Sequence, residues 1–93
     1  MSEEIQISLY NHLSTLFDLE NKPESMDGLR AMIEAKVKYL LDYDFNGLVN
    51  LLYRIDVYES KAKTCFGKPN TEIAKCLSEL ILERQLQKIK NRQ

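Results

Sequence analysis

Apolar residues along this chain recur at spacings of three and four, the period of an α-helix, in successive segments separated by polar breaks. In the first segment Ile5, Leu9, Leu13, Leu16 and Phe17 share one face. Ser2 is placed to cap it, with Glu3 and Glu4 in the turn where the helix dipole favours acids. Residues 18–25 lose the pattern and contain Pro23, so they are expected to form a loop. In the second segment Leu29, Met32, Ile33, Val37, Leu40 and Tyr43 form the inward stripe, and Arg30, Glu34, Lys38 and Asp42 form the outward one. Ser25 or Asp27 is the expected cap, and Glu34 precedes Lys38 by four residues, the favourable order for a surface pair.

The sequence Asp42 to Gly47 interrupts the pattern, and Asp44 is positioned to cap a third helix. There Phe45, Leu48, Val49, Leu52 and Tyr53 make one stripe, widened by Leu51 and Ile55 to about half the circumference. So broad an apolar arc predicts the central helix of the domain. The same residues also alternate with period two from Val49 to Val57 after an Asn46-Gly47 turn dipeptide, which is a strand signal. No other segment offers a strand to pair with it, so the helix is preferred. Asp56 is placed to cap a short fourth helix whose inward residues are Tyr58, Ala62, Cys65 and Phe66, closed by Gly67 and Pro69. Asn70 or Thr71 caps a fifth. The expected architecture is an all-α, single-domain bundle of five helices over residues 3–18, 27–42, 45–55, 57–66 and 71–90.

The fifth helix carries two stripes. Ile73, Cys76, Leu77, Leu80 and Ile81 share one side, whereas Leu82, Leu86 and Ile89 point nearly opposite. One flat face cannot bury both. Either the first helix wraps around this one, or its end projects and meets another chain. Leu82, Leu86, Ile89 and the neighbouring Arg84 are therefore the expected protein interface, with self-association one form of it. A second patch is Tyr53, Arg54 and Tyr58, since tyrosine and arginine are frequent interface anchors. That patch is the alternative; the structural reading is preferred, in which Arg54 pairs with a carboxylate on another helix and Asp56 caps the fourth.

The run Leu51-Leu52-Tyr53-Arg54-Ile55-Asp56-Val57, with Glu59 and Lys61, and the later run Leu80-Ile81-Leu82-Glu83-Arg84-Gln85-Leu86-Gln87-Lys88 resemble a small family of uncharacterised bacterial all-helical proteins over residues 33–90. The resemblance implies a helical fold and a bacterial cytosolic setting. It implies no activity, so it assigns no functional residues.

Composition adds exclusions. Apolar residues make up 44% and charged residues 29% of the 93, too apolar for a disordered chain and enough for one modest core without a metal or disulfide. No apolar run is long enough to span a bilayer. The acidic start of the sequence lacks an apolar signal core, which makes the cytoplasm the expected compartment. Cys65 and Cys76 match neither a zinc nor a thioredoxin spacing, and are expected to be reduced, buried core residues; a disulfide or metal role is the alternative. The net charge of −1 divides unevenly, −5 over residues 1–35 and +4 over 36–93; pairing between the two halves is the expected reason, and a basic face open to an acidic partner is the alternative.

A basic tail from Arg84 onward raises nucleic-acid binding as the alternative function, but the chain's sequence pI of about 5.8 argues against it. The single His12 sits beside an apolar stripe with no cysteine or carboxylate set, and the three glycines are dispersed, so neither a zinc site nor a phosphate-cradling loop is expected. No catalytic residues, cofactor, metal or small-molecule ligand are expected. The function expected is a small non-enzymatic protein-interaction or adaptor module.

Overall fold

The computed structural model describes residues 3–17, 19 and 23–91. It contains five helices: α1 (Glu3–Phe17), α2 (Met26–Tyr43), α3 (Phe45–Ile55), α4 (Glu59–Phe66) and α5 (Asn70–Asn91). No strand occurs among the described residues, so the helical reading of residues 45–55 holds over the period-two alternative. The Ser2 cap and the last residue of the expected first helix, Asp18, lie outside the described residues.

Two caps set the α2–α3 joint. Ser25 Oγ accepts the Gly28 N–H at 3.1 Å and opens α2, selecting Ser25 over Asp27 as its cap. Asp44 ends α2 by donating its backbone N–H to Leu40 O at 2.8 Å, and starts α3 by accepting the Gly47 N–H at 3.0 Å. A Cβ at position 47 would run into the Asp44 carboxylate, so a larger residue there would displace the capping side chain. On the outer face of α2, Lys38 pairs forward with Asp42 at 3.2 Å rather than back with Glu34.

The core is assembled from Leu9, Leu13 and Phe17 of α1, Leu29, Ile33 and Val37 of α2, Leu48, Leu51, Leu52 and Ile55 of α3, and the inner arc of α5. The radius of gyration is 12.7 Å, close to the roughly 12–13 Å expected of one folded unit of this length. The hub is α5, which packs against all four other helices, with α2 its most extensive neighbour. This corrects the expectation that α3 is central. The apolar arc of α3 is wide in sequence, but its edges, Phe45 and Tyr53, are exposed and only its centre is buried. Tyr43, expected on the inward stripe of α2, is also exposed.

The two stripes of α5 prove to be one. Ala74, Ser78 and Gln85 lie between them at about 100° per residue, and all three are buried. Ser78 and Gln85 are only 3% and 4% exposed. They are polar, so the pattern of apolar residues leaves a gap where the buried surface is continuous. The Ser78 hydroxyl meets its need locally by donating to Lys75 O at 2.9 Å. Leu82 and Ile89 are buried, and Leu86 is partly buried against the core. The projecting stripe expected from the sequence is therefore consumed within the chain, because α1 and α2 both pack on α5.

Candidate functional site: the corner between α3 and α4

The corner is held by three attachments, the first two at the end of α3 and the third between α4 and α5. Asp56 closes α3 in the left-handed conformation (φ 67°, ψ 45°), the sole positive-φ residue among those described. Its N–H donates to Leu52 O and Tyr53 O, and the Val57 N–H reaches back to Leu52 O at 3.2 Å. These bonds form the Schellman closure that glycine usually makes. Asp56 thus ends α3 instead of capping α4. The residue at the start of α4 is Tyr58, which makes no side-chain capping bond.

The carboxylate of Asp56 is used elsewhere: Arg84 Nη2 of α5 donates to Oδ2 at 2.9 Å. Arg84 Nη1 donates to Gln87 Oε1 at 3.2 Å. One turn further along α5, Lys88 Nζ donates to Ile55 O at 2.7 Å, placing a cation on the carbonyl end of α3. Arg84, expected at an intermolecular interface, is therefore an internal bolt. Two cations of the expected basic tail, Arg84 and Lys88, are occupied in the same way.

The third attachment is covalent. Cys65 in α4 and Cys76 in α5 form a disulfide with Cα atoms 5.5 Å apart. This corrects the expectation of two reduced thiols. Cys65 is buried and Cys76 half-buried. Each lies on the inward stripe of its helix, and the helices are consecutive, so the two periodicities together bring the sulfurs into reach. Residue spacing alone does not show this.

These attachments leave an apolar cleft of about 180 Å³ between α3 and α4. Leu52 and Ala62 are its buried floor; Val49, Val57 and Phe66 are partly buried walls. Tyr53, 71% exposed, stands on the rim with Glu59 and Lys63. Glu59 and Lys63 pair with each other at 3.5 Å. Phe45, 50% exposed, extends the apolar surface by packing on Phe66 with ring centroids 5.6 Å apart. The cleft is below the roughly 300 Å³ at which small-molecule pockets begin, and fits one or two side chains.

The expected patch of Tyr53, Arg54 and Tyr58 is exposed but divided. Tyr53 borders the cleft, whereas Tyr58 lies across Val57, where the Lys61 ammonium stands 5.7 Å from its ring centroid. Arg54 is exposed and makes no ion pair among the described residues, so the expected pairing with another helix is not formed. Phe45, Val49 and Phe66 are what the sequence reading missed as surface, because an apolar residue on a helical stripe reads as core.

A second hollow of about 390 Å³ lies between α2 and the start of α5. Lys38, Asp42 and Asn70 make most of its lining, and the Lys38–Asp42 pair satisfies itself. It is larger but shallow in chemistry. Among the described residues no group of three or more His, Cys, Asp or Glu is close enough to hold a metal ion. Among the described residues no helix is long and apolar enough to cross a membrane. Comparison with known protein families, curated proteins and solved structures finds no match to this chain.

Proposed function

We propose that this chain is a small, non-enzymatic protein-interaction module that receives an apolar segment of a protein partner against the α3–α4 corner. The observation that carries the reading is the conjunction of an apolar cleft with exposed aromatic rims, Phe45 and Tyr53, on a domain whose other large apolar stripes are mostly packed inside. Aromatic anchors beside a groove are a common basis of recognition. The cleft's two charged groups, Glu59 and Lys63, neutralise each other, which suits a rim more than a reaction centre. Self-association through Leu82, Leu86 and Ile89 is replaced by this face, because those side chains are already engaged.

The test is capture from the native cell with wild-type bait and with Phe45→Asp/Tyr53→Asp bait, followed by titration of the purified partner. A protein that binds wild-type bait and is lost from the double variant, at unchanged melting temperature, supports the reading. A partner held equally by both, or light scattering that shows dimers through another surface, overturns it.

A further inference from the structure

Helix α4 is the least anchored part of the fold. It is 8 residues long, packs mainly on α5, buries only Ala62 and Cys65, and starts without a side-chain cap. Yet it supplies one side of the cleft, through Glu59, Ala62, Lys63 and Phe66. Cys65 belongs to the same helix, next to Phe66 in sequence, and faces α5 instead of the cleft. Its bond to Cys76 is the covalent link between the cleft wall and the hub helix. A short, thinly packed helix opens locally at low cost unless something ties it down.

We infer that the Cys65–Cys76 disulfide is a redox gate on the α3–α4 cleft, an inference that rests on that cleft being the binding face. With the bond closed, α4 is held on α5 and the cleft is assembled. With the bond open, α4 detaches part of the time and the cleft loses a wall, while α2 and α5 stay folded. The co-reactant is a dithiol reductant. Its thiolate attacks the sulfur of Cys76, the more exposed of the two cysteines, and Cys65 leaves as a thiolate that takes up a proton. The second thiol then displaces Cys76 from the mixed disulfide. The protein gains two electrons and two protons, and the reductant leaves as its own disulfide. Because Cys65 is a buried leaving group, the step runs through local opening of α4 and its rate follows that opening.

The experiment compares amide hydrogen exchange in the air-oxidised chain, the chain reduced with dithiothreitol, and the Cys65→Ser/Cys76→Ser variant. Toluene is used as an apolar probe of the cleft, read by chemical shifts at the Val49 and Val57 methyls. Reduction and the double variant are expected to lower protection at Ala62, Cys65 or its replacement, and Phe66 by about tenfold or more, leave Val37 and Ile81 protected, and weaken the toluene shifts. Equal protection of α4 in all three forms overturns the gate, as does loss of protection at Val37 and Ile81 together with α4, which would make the bond a staple of the whole fold. Free thiols in the air-oxidised chain also overturn it. Toluene shifts absent even from the oxidised chain, with the exchange difference present, count against the cleft and not against the redox control of α4.

Discussion

The α2–α5 pair and the α3–α4 corner are built on the same hub helix, α5, in opposite ways. α2 and α5 are 18 and 22 residues long and meet through fully buried side chains such as Ile33, Val37, Leu77 and Ile81. α3 and α4 are 11 and 8 residues long and leave Phe45, Tyr53 and Tyr58 exposed. Here a disulfide, an Arg84–Asp56 bridge and a Lys88–Ile55 bond replace missing packing. The difference shows how a small domain keeps an apolar surface open: discrete attachments at the edge leave side chains free that packing would otherwise consume.

The largest effect should come from the packed pair. Ile33→Ala or Ile81→Ala removes a side chain of 0% exposure and is expected to cost about 2–5 kcal/mol in urea unfolding. A loss near 0.5 kcal/mol at both positions would break the comparison, since the frame would then not rest on packing.

Opening the corner's covalent tie comes next. Cys76→Ser is expected to cost about 2–3 kcal/mol, the scale for closing a loop of this size, measured by thermal unfolding under non-reducing conditions. No change in melting temperature would mean that α4 needs no tie.

Asp56 sharpens the picture by separating backbone from side chain. Asp56→Ala loses the Arg84 bridge and keeps an unfavourable left-handed residue, so it should cost about 1–2 kcal/mol. Asp56→Gly loses the same bridge but relieves the backbone, and should be more stable than Asp56→Ala by about 1 kcal/mol. Equal stability of the two variants would remove the left-handed closure from the account.

The smallest effects belong to the exposed face. Arg54→Ala and Tyr53→Ser should each change stability by less than about 0.5 kcal/mol, because neither side chain is engaged within the fold. A drop of more than about 1 kcal/mol at Arg54 would restore the ion pair expected from the sequence.

The fold was legible because its signals are local. The stripe Leu29, Ile33 and Val37 and the Ser25 and Asp44 caps each act within one or two turns, whereas Gly67 ends α4 in the right-handed region and not in the left-handed one that glycine suits. What was not legible depends on what lies opposite. Buried Ser78 and Gln85 joined two stripes into one, and no rule of periodicity assigns a polar residue to a core. Asp56 has the composition of an N-cap, but Arg84, twenty-eight residues away, holds it at the end of the preceding helix. The candidate cleft was half visible. Tyr53 stood out as an anchor, whereas Phe45, Val49 and Phe66 read as core until the shortness of α4 left them uncovered.

Another exposed aromatic pair exists on α2, Tyr39 and Tyr43, with ring centroids 5.1 Å apart, and neither ring lines the corner cleft or the hollow between α2 and α5. It makes the most direct test of the central claim, that the corner and not aromatic exposure as such marks the docking face. A photo-crosslinking phenylalanine analogue placed at position 53 or at position 39, and irradiated in the native cell, reports which surface a partner touches. A discrete crosslinked protein from position 53 and none from position 39 is the predicted result. Crosslinks from position 39 alone, or from neither, would contradict the account.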